Sequence, residues 1–224
     1  GLLFLDFLFL LRFWGRNVYQ KPDLFKRYGL TWTRQDGSDL INGLSVGLLF
    51  SLGLFAVEGL FGWVTFKTPP VNLLKVVGEG LLSALGIGLA EELLFRGWLL
   101  DELQRDYSPK AALWADAALF ALLHFLKPIS EVIRTFPQFP ALILLGLTLV
   151  WAKRSRRNRL GICIGLHAGL VWGYYTLNVG QLVQYTRQVS PWITGIDGNP
   201  IAGLMGLLFL SILALWMRKR AVAR

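Results

Sequence analysis

The sequence predicts an all-α fold: a polytopic transmembrane helix bundle of about six spans, with a partial helix at the N-terminal end. Three observations predict it. Hydrophobic residues make up 54% of the 224 residues, and mean hydropathy is +0.50. Charged residues make up only 17%, against ~25% in an ordinary soluble domain. Those charges cluster between apolar runs instead of being spread along them, as in helices that cross a bilayer. The net charge of +9 would suit a nucleic-acid binder, but the basic residues fall in short loops. Membrane topology accounts for them there, and no nucleic-acid partner is expected. Cys163 is the single cysteine, so no internal disulfide can form. It sits in an apolar run and reads as a small buried residue, not a nucleophile.

The stretch from Gly1 to Phe13 is apolar but too short to span, and it contains Asp6 and Arg12. It lacks the basic start and small-residue cleavage site of a signal peptide. It reads as the end of a truncated span, in a chain expected to be a piece of a longer protein or a processed form. Six segments can cross a membrane: Leu40–Phe66, Val71–Leu100, Ala111–Phe125, Gln138–Trp151, Leu160–Val179 and Ile201–Met217. Ser38-Asp39 reads as the start of the first, and Thr68-Pro69-Pro70 separates it from the second. Ser108-Pro109 opens the third and Asn199-Pro200 the sixth, each a capping side chain followed by proline. The third and fourth runs are shorter than the ~20 residues of a perpendicular span, so neighbours or interfacial loops must shield them. No internal repeat or low-complexity linker is visible. The chain is divided as 1–39, an N-terminal apolar segment and basic inside loop; 40–217, a single transmembrane domain; and 218–224, a basic inside tail.

Loop charges give an orientation. Counting Lys and Arg in alternate loops puts sixteen on the side that precedes Leu40 and four on the other. The sixteen include Lys21, Lys153 to Arg159, and the tail through Arg224. Positive charge stays inside, so this side faces the cytoplasm or a stroma. The protein is expected to be a multi-pass integral membrane protein.

Within Leu81–Leu100 lie two adjacent glutamates, Glu91 and Glu92, where an ionised carboxylate is costly. The only two histidines, His124 and His167, also lie in apolar runs. The second and third segments form an antiparallel hairpin that turns near Tyr107 to Lys110. Equal rise on its two arms puts Glu91 and Glu92 level with His124. His167 lies ~16 Å along its helix from the next inside turn and reaches a similar depth. Glu92 and Arg96 are four apart with the glutamate first, the better order for a helical ion pair. Glu92–Arg96 is therefore expected to be structural. Glu91 points ~100° away and is left free to act. Lys75 and Glu79 make a second i,i+4 pair. Asp116 can reach Arg96 or Arg105 across the hairpin, and Glu58 has no partner in the sequence pattern. Each histidine taken alone also fits a satisfied core residue.

The run Glu91-Glu92-Leu93-Leu94-Phe95-Arg96 resembles the EExxxR motif of the CPBP family, and Phe120 with His124 resembles its FxxxH motif. His167 stands where the third motif, HxxxN, begins. That family comprises type II CAAX prenyl endopeptidases and related lysostaphin resistance protein A-like and immunity proteins. The resemblance covers about Leu73 to Asn178. It implies an intramembrane endopeptidase in which Glu91 activates water, His124 helps to hold that water and His167 serves the oxyanion. Glu92, Arg96 and Phe120 would support them. The family's asparagine four residues after the histidine is Val171 here, which donates no hydrogen bond. Asn178 shares that face but lies too far along the helix to replace it.

No cofactor is expected. Two histidines and one or two glutamates are acceptable ligands for a divalent metal such as zinc, but no H-E-x-x-H pairing is present. The expected partners are a membrane protein or lipidated peptide substrate and the lipid bilayer. Two other readings stay open: a catalytically weak or inactive member acting as a membrane scaffold or immunity factor, which Val171 favours, and an ion-coupled transporter, which the lack of an inverted repeat disfavours.

Overall fold

The computed structural model describes residues 2–20, 23–69 and 72–223. Gly1, the loop charges Lys21 and Arg224, Pro70 of the first interhelix break and Val71 lie outside the described residues. In chain order the helices are α1 (Leu2–Asn17), α2 (Leu24–Arg27), α3 (Arg34–Leu60), α4 (Leu73–Glu92), α5 (Leu100–Asp106), α6 (Pro109–Leu123), α7 (Ile129–Thr135), α8 (Phe139–Ser155), α9 (Gly161–Asn178), α10 (Pro191–Thr194) and α11 (Leu204–Val222). The chain forms an all-α helix bundle with one small exception. Strands β1 (Val64–Phe66) and β2 (Val183–Tyr185) pair antiparallel, with Val64 opposite Tyr185 and Phe66 opposite Val183. The ribbon pairs backbone groups of the loops that follow α3 and α9.

Three stretches are long and apolar enough to cross a membrane: Arg34–Leu60, Leu73–Asp106 and Ile129–Ser155. The second is α4 and α5 joined by a π-helix, Leu93–Leu99. The third joins α7 to α8 through a 3-10 turn at Phe136–Gln138, which lengthens the short fourth segment of the sequence reading. The other expected spans are shorter helices: α6 with 15 residues, α9 with 18 and α11 with 19.

Two expected starts move. The first span does not begin at Ser38-Asp39. Thr33 caps α3 instead, accepting from the Asp36 amide while Asp36 accepts from the Thr33 amide, a reciprocal box that stops fraying a full turn earlier. Asp39 is buried and takes Arg159 Nε at 2.6 Å and Arg156 Nε at 3.5 Å. Ser108 does cap α6, accepting from Ala111 N at 3.3 Å ahead of Pro109. Asn199-Pro200 opens only a 3-10 turn, Pro200–Ala202, and α11 starts after Gly203.

Glycines set how close the helices come. Gly43 and Gly47 of α3 face the run Gly161, Gly165, Gly169 and Gly173 of α9. A Cβ on Gly165 would stand 2.0 Å from the Leu40 carbonyl oxygen, and one on Gly47 2.3 Å from that of Leu166. Without side chains between them the two backbones touch, which is how small residues drive helix association where lipid supplies no hydrophobic force. So α9 is held centrally against α3 and α4, while α8 packs between α6 and α11. The main core joins Phe95, Phe120, Leu142, Leu149, Cys163, Leu166 and Leu213.

The loops assigned to one side of the membrane meet at one end of this bundle. Arg27 pairs with Asp101 at 2.8 Å, and Tyr19 donates to Glu102. Arg154 donates to the Pro109 carbonyl at 2.7 Å, and the Leu160 amide to that of Gly29 at 2.9 Å. Lys153 corrects the loop count. It is buried in α8, and its ammonium donates to the Arg96 carbonyl instead of standing in a loop. That carbonyl lies in the π-helix, where the hydrogen-bond ladder changes register.

Candidate active site

The EExxxR run straddles the junction between α4 and the π-helix, so its two glutamates open onto different surroundings. Glu92 and Arg96 are both fully buried and pair at 3.1 Å, as their spacing predicted. Arg96 is held on three further sides. Its Nε lies 3.4 Å from Asp116 Oδ2, its Nη2 donates to the Gly146 carbonyl at 3.3 Å, and its guanidinium carbon sits 4.3 Å over the Phe120 ring. Gly146 can offer that carbonyl because α8 lies directly on α6; a Cβ there would come within 2.8 Å of Ala117 Cα. Glu92 also accepts from His167 Nδ1 at 2.8 Å. Glu92 thus links α4, the π-helix and α9. A carboxylate needs such neutralising partners to stay ionised in a buried place.

Glu91 faces the other way. It is 32% exposed, and its Oε2 lies 3.8 Å from His124 Nε2, which is 34% exposed. The level expected from the hairpin is the level observed. His124 Nδ1 lies 2.7 Å from the Phe120 carbonyl oxygen. A carbonyl only accepts, so this contact assigns a ring proton to Nδ1 and turns Nε2 towards Glu91. The separation exceeds a direct hydrogen bond, and one oxygen ~2.8 Å from each group fits between them. Phe120 is fully buried, edge-on to Phe95 at 5.1 Å, with His124 at 4.6 Å and His167 at 6.2 Å between ring centroids. It holds both imidazoles apart on one wall.

His124, His167 and Phe120 line a cavity of about 250 Å³. Val171 lines it too, one turn beyond His167, so the position that lacks an amide does face the site. The remaining wall is largely apolar, with Phe55, Leu142, Leu170, Phe209 and Leu213. Asn178 stays out of it and caps its own helix through the Tyr174 carbonyl at 3.3 Å. Cys163 is buried, with its thiol 3.3 Å from the Leu149 carbonyl oxygen, and takes no part. Among the described residues, no three His, Cys, Asp or Glu side chains converge as a metal site would require. Lys75 and Glu79 pair at 3.8 Å on the surface. Glu58 is fully buried, and neither of its oxygens has a hydrogen-bond partner among the described residues.

The sequence reading missed the Glu92–His167 bond, the Lys153 and Gly146 clamps on the π-helix, and Asn199 in the cavity wall. It also missed the glycines at every fourth position from 161 to 173, a spacing that marks a closely packed membrane helix.

Residues 73–173 match the family described as type II CAAX prenyl endopeptidase Rce1-like. The match supports the resemblance to the CPBP family carried by the EExxxR and FxxxH motifs. No curated protein and no solved structure matches the chain. The match starts with α4 and ends two residues beyond Val171, so it takes in Glu91, Glu92, Arg96, Phe120, His124 and His167. Its members are CAAX-type intramembrane proteases, whose name implies prenylated, membrane-associated peptides as substrates. With the long apolar helices, the match points to an integral membrane protein.

Proposed function

We propose that this chain is a glutamate-type intramembrane endopeptidase that hydrolyses membrane-associated protein substrates, by CAAX-type C-terminal processing or a related cleavage. The observation that carries the reading is the partly exposed Glu91–His124 pair, whose His124 lines a cavity with His167, backed by a buried Glu92–Arg96 pair that does not need it. A water between Glu91 and His124 Nε2 donates one hydrogen to each, and its lone pair is left to attack a carbonyl carbon. Glu91 takes the proton as the new C–O bond forms. The carbonyl oxygen becomes an oxyanion, for which His167 serves as a stabilising group. Collapse breaks the C–N bond, and Glu91 returns the proton to the leaving amine. No metal or other cofactor is needed for this sequence. The apolar wall suits a lipidated or otherwise apolar peptide end. The basic loops would face the cytoplasm or stroma.

Val171 supports a second reading, a catalytically weak or inactive membrane scaffold or immunity factor, because valine faces the cavity where a donor is useful. One experiment separates the two. New protein termini are mapped in membranes from cells that express the protein or its Glu91→Gln variant. The protease reading expects termini that vanish with Glu91; identical termini in both would leave the scaffold.

A further inference from the structure

Resting on the protease reading, we infer that Asn199 supplies the amide donor for the substrate oxyanion from a loop, in place of residue 171. Asn199 carries the one carboxamide in the wall of the cavity shared by His124, His167 and Val171. Its Oδ1 accepts from the Ile201 amide at 3.3 Å. That bond fixes which end of the side chain is which and frees Nδ2, which has no hydrogen-bond partner among the described residues. The other polar groups on this wall are hydroxyls and imidazoles: Ser51, Tyr174 and the two histidines. A carboxamide N–H donates without any change of charge and cannot pass its proton to the substrate, as an oxyanion donor should.

The loop that carries Asn199 is pinned, so the donor is pre-positioned. The Asn199 amide donates to the Ile196 carbonyl at 3.0 Å, and its carbonyl accepts from Ala202 N at 2.9 Å. Tyr185 holds the Gly198 carbonyl at 3.2 Å, and Asp197 pairs with Arg134 of α7. Gly195 and Gly198 take φ of +125° and +71°, conformations that side-chain-bearing residues rarely adopt. Gly206 of α11 seats the far side. A Cβ there would stand 1.9 Å from the Pro200 carbonyl oxygen. Such anchoring suits a group that must hold its place while charge develops on the substrate.

The test measures initial rates of Glu91-dependent cleavage in isolated membranes. Asn199→Asp keeps the acceptor that caps the loop and removes the donor; Asn199→Ala removes both. Both variants are expected to lose roughly 10²–10³ in rate, with the thermal midpoint of Asn199→Asp unchanged in detergent. Val171→Asn is then combined with Asn199→Ala. In the Asn199→Ala background it should restore at least tenfold of the lost rate, a rescue that a purely structural role for Asn199 does not produce. Full activity in Asn199→Asp, or no rescue by Val171→Asn, overturns the assignment while leaving the protease reading intact. Absence of any Glu91-dependent cleavage in the wild-type protein overturns the protease reading and this assignment with it.

Discussion

Replacing Glu92 with alanine tests whether the two adjacent glutamates do different work. The substitution strips Arg96 of its 3.1 Å partner at a fully buried position and strips His167 Nδ1 of its 2.8 Å acceptor. Asp116 and the Gly146 carbonyl remain near the guanidinium, at 3.4 and 3.3 Å, and soften the loss without cancelling it. Breaking a buried pair by removing one member costs ~3–5 kcal/mol. At ~2–4 °C per kcal/mol for a chain of this length, the thermal midpoint should fall by ~6–20 °C. Glu91→Gln is nearly isosteric, at a side chain 32% exposed whose Oε2 has no hydrogen-bond partner among the described residues. It should move the midpoint by no more than ~2 °C, equivalent to ~0.5 kcal/mol. Both variants should lose cleavage, but only Glu92→Ala should lose stability. The assay is thermal unfolding of the purified protein in one detergent, followed by tryptophan fluorescence. Equal shifts for the two variants would refute the division of roles.

Three further outcomes follow from the packing and the charges. Gly165→Ala places a Cβ against the Leu40 carbonyl, a backbone atom that cannot swing aside. Overpacking of this kind costs ~1–3 kcal/mol, so the midpoint should fall by ~2–12 °C in the same unfolding assay. Lys153→Met leaves the Arg96 carbonyl without its donor, and Glu92 and Asp116 with one guanidinium between them. It should lower stability by ~1–3 kcal/mol and reduce cleavage, whereas a true loop lysine would be replaced at no cost. For orientation, Arg157→Cys should resist an impermeant maleimide in intact cells and Gln188→Cys should react, because the proposed topology, with fifteen loop Lys and Arg against four once Lys153 is left out, has residue 157 inside. The native Cys163 is buried and gives no background. Reversed labelling would invert the proposed topology.

Much of the site could be read from the chain because it depends on short-range regularities. Glu92–Arg96 follows from helical spacing, and the Glu91–His124 level follows from equal rise along two arms of a hairpin. What escaped depends on rotation and on tertiary partners. Depth alone placed His167 near the glutamates but could not say that its ring turns to Glu92. Seven residues of π-helix carry no pattern that separates them from α-helix in a uniformly apolar run. Lys153 was read as a loop charge because it ends an apolar run, yet the Arg96 carbonyl in the π-helix gives its ammonium a partner inside. Asn199 was read as a helix start. The proline after it does set a turn, but the turn is 3-10 and leaves the side chain on the cavity. The α3 start moved because a capping box at Thr33 and Asp36 outweighs the Ser38-Asp39 signal, and Asp39 has two arginines to satisfy instead.

The central claim is that Glu91 activates the water that cuts the peptide. Its most direct measurement is turnover of a prenylated CAAX peptide by the purified protein in proteoliposomes, wild type beside Glu91→Gln, after both are shown to unfold at the same temperature. The account predicts turnover by the wild type and a rate roughly 10²–10⁴-fold lower in the variant, the range for loss of a positioned general base. Equal turnover by the two proteins would contradict it.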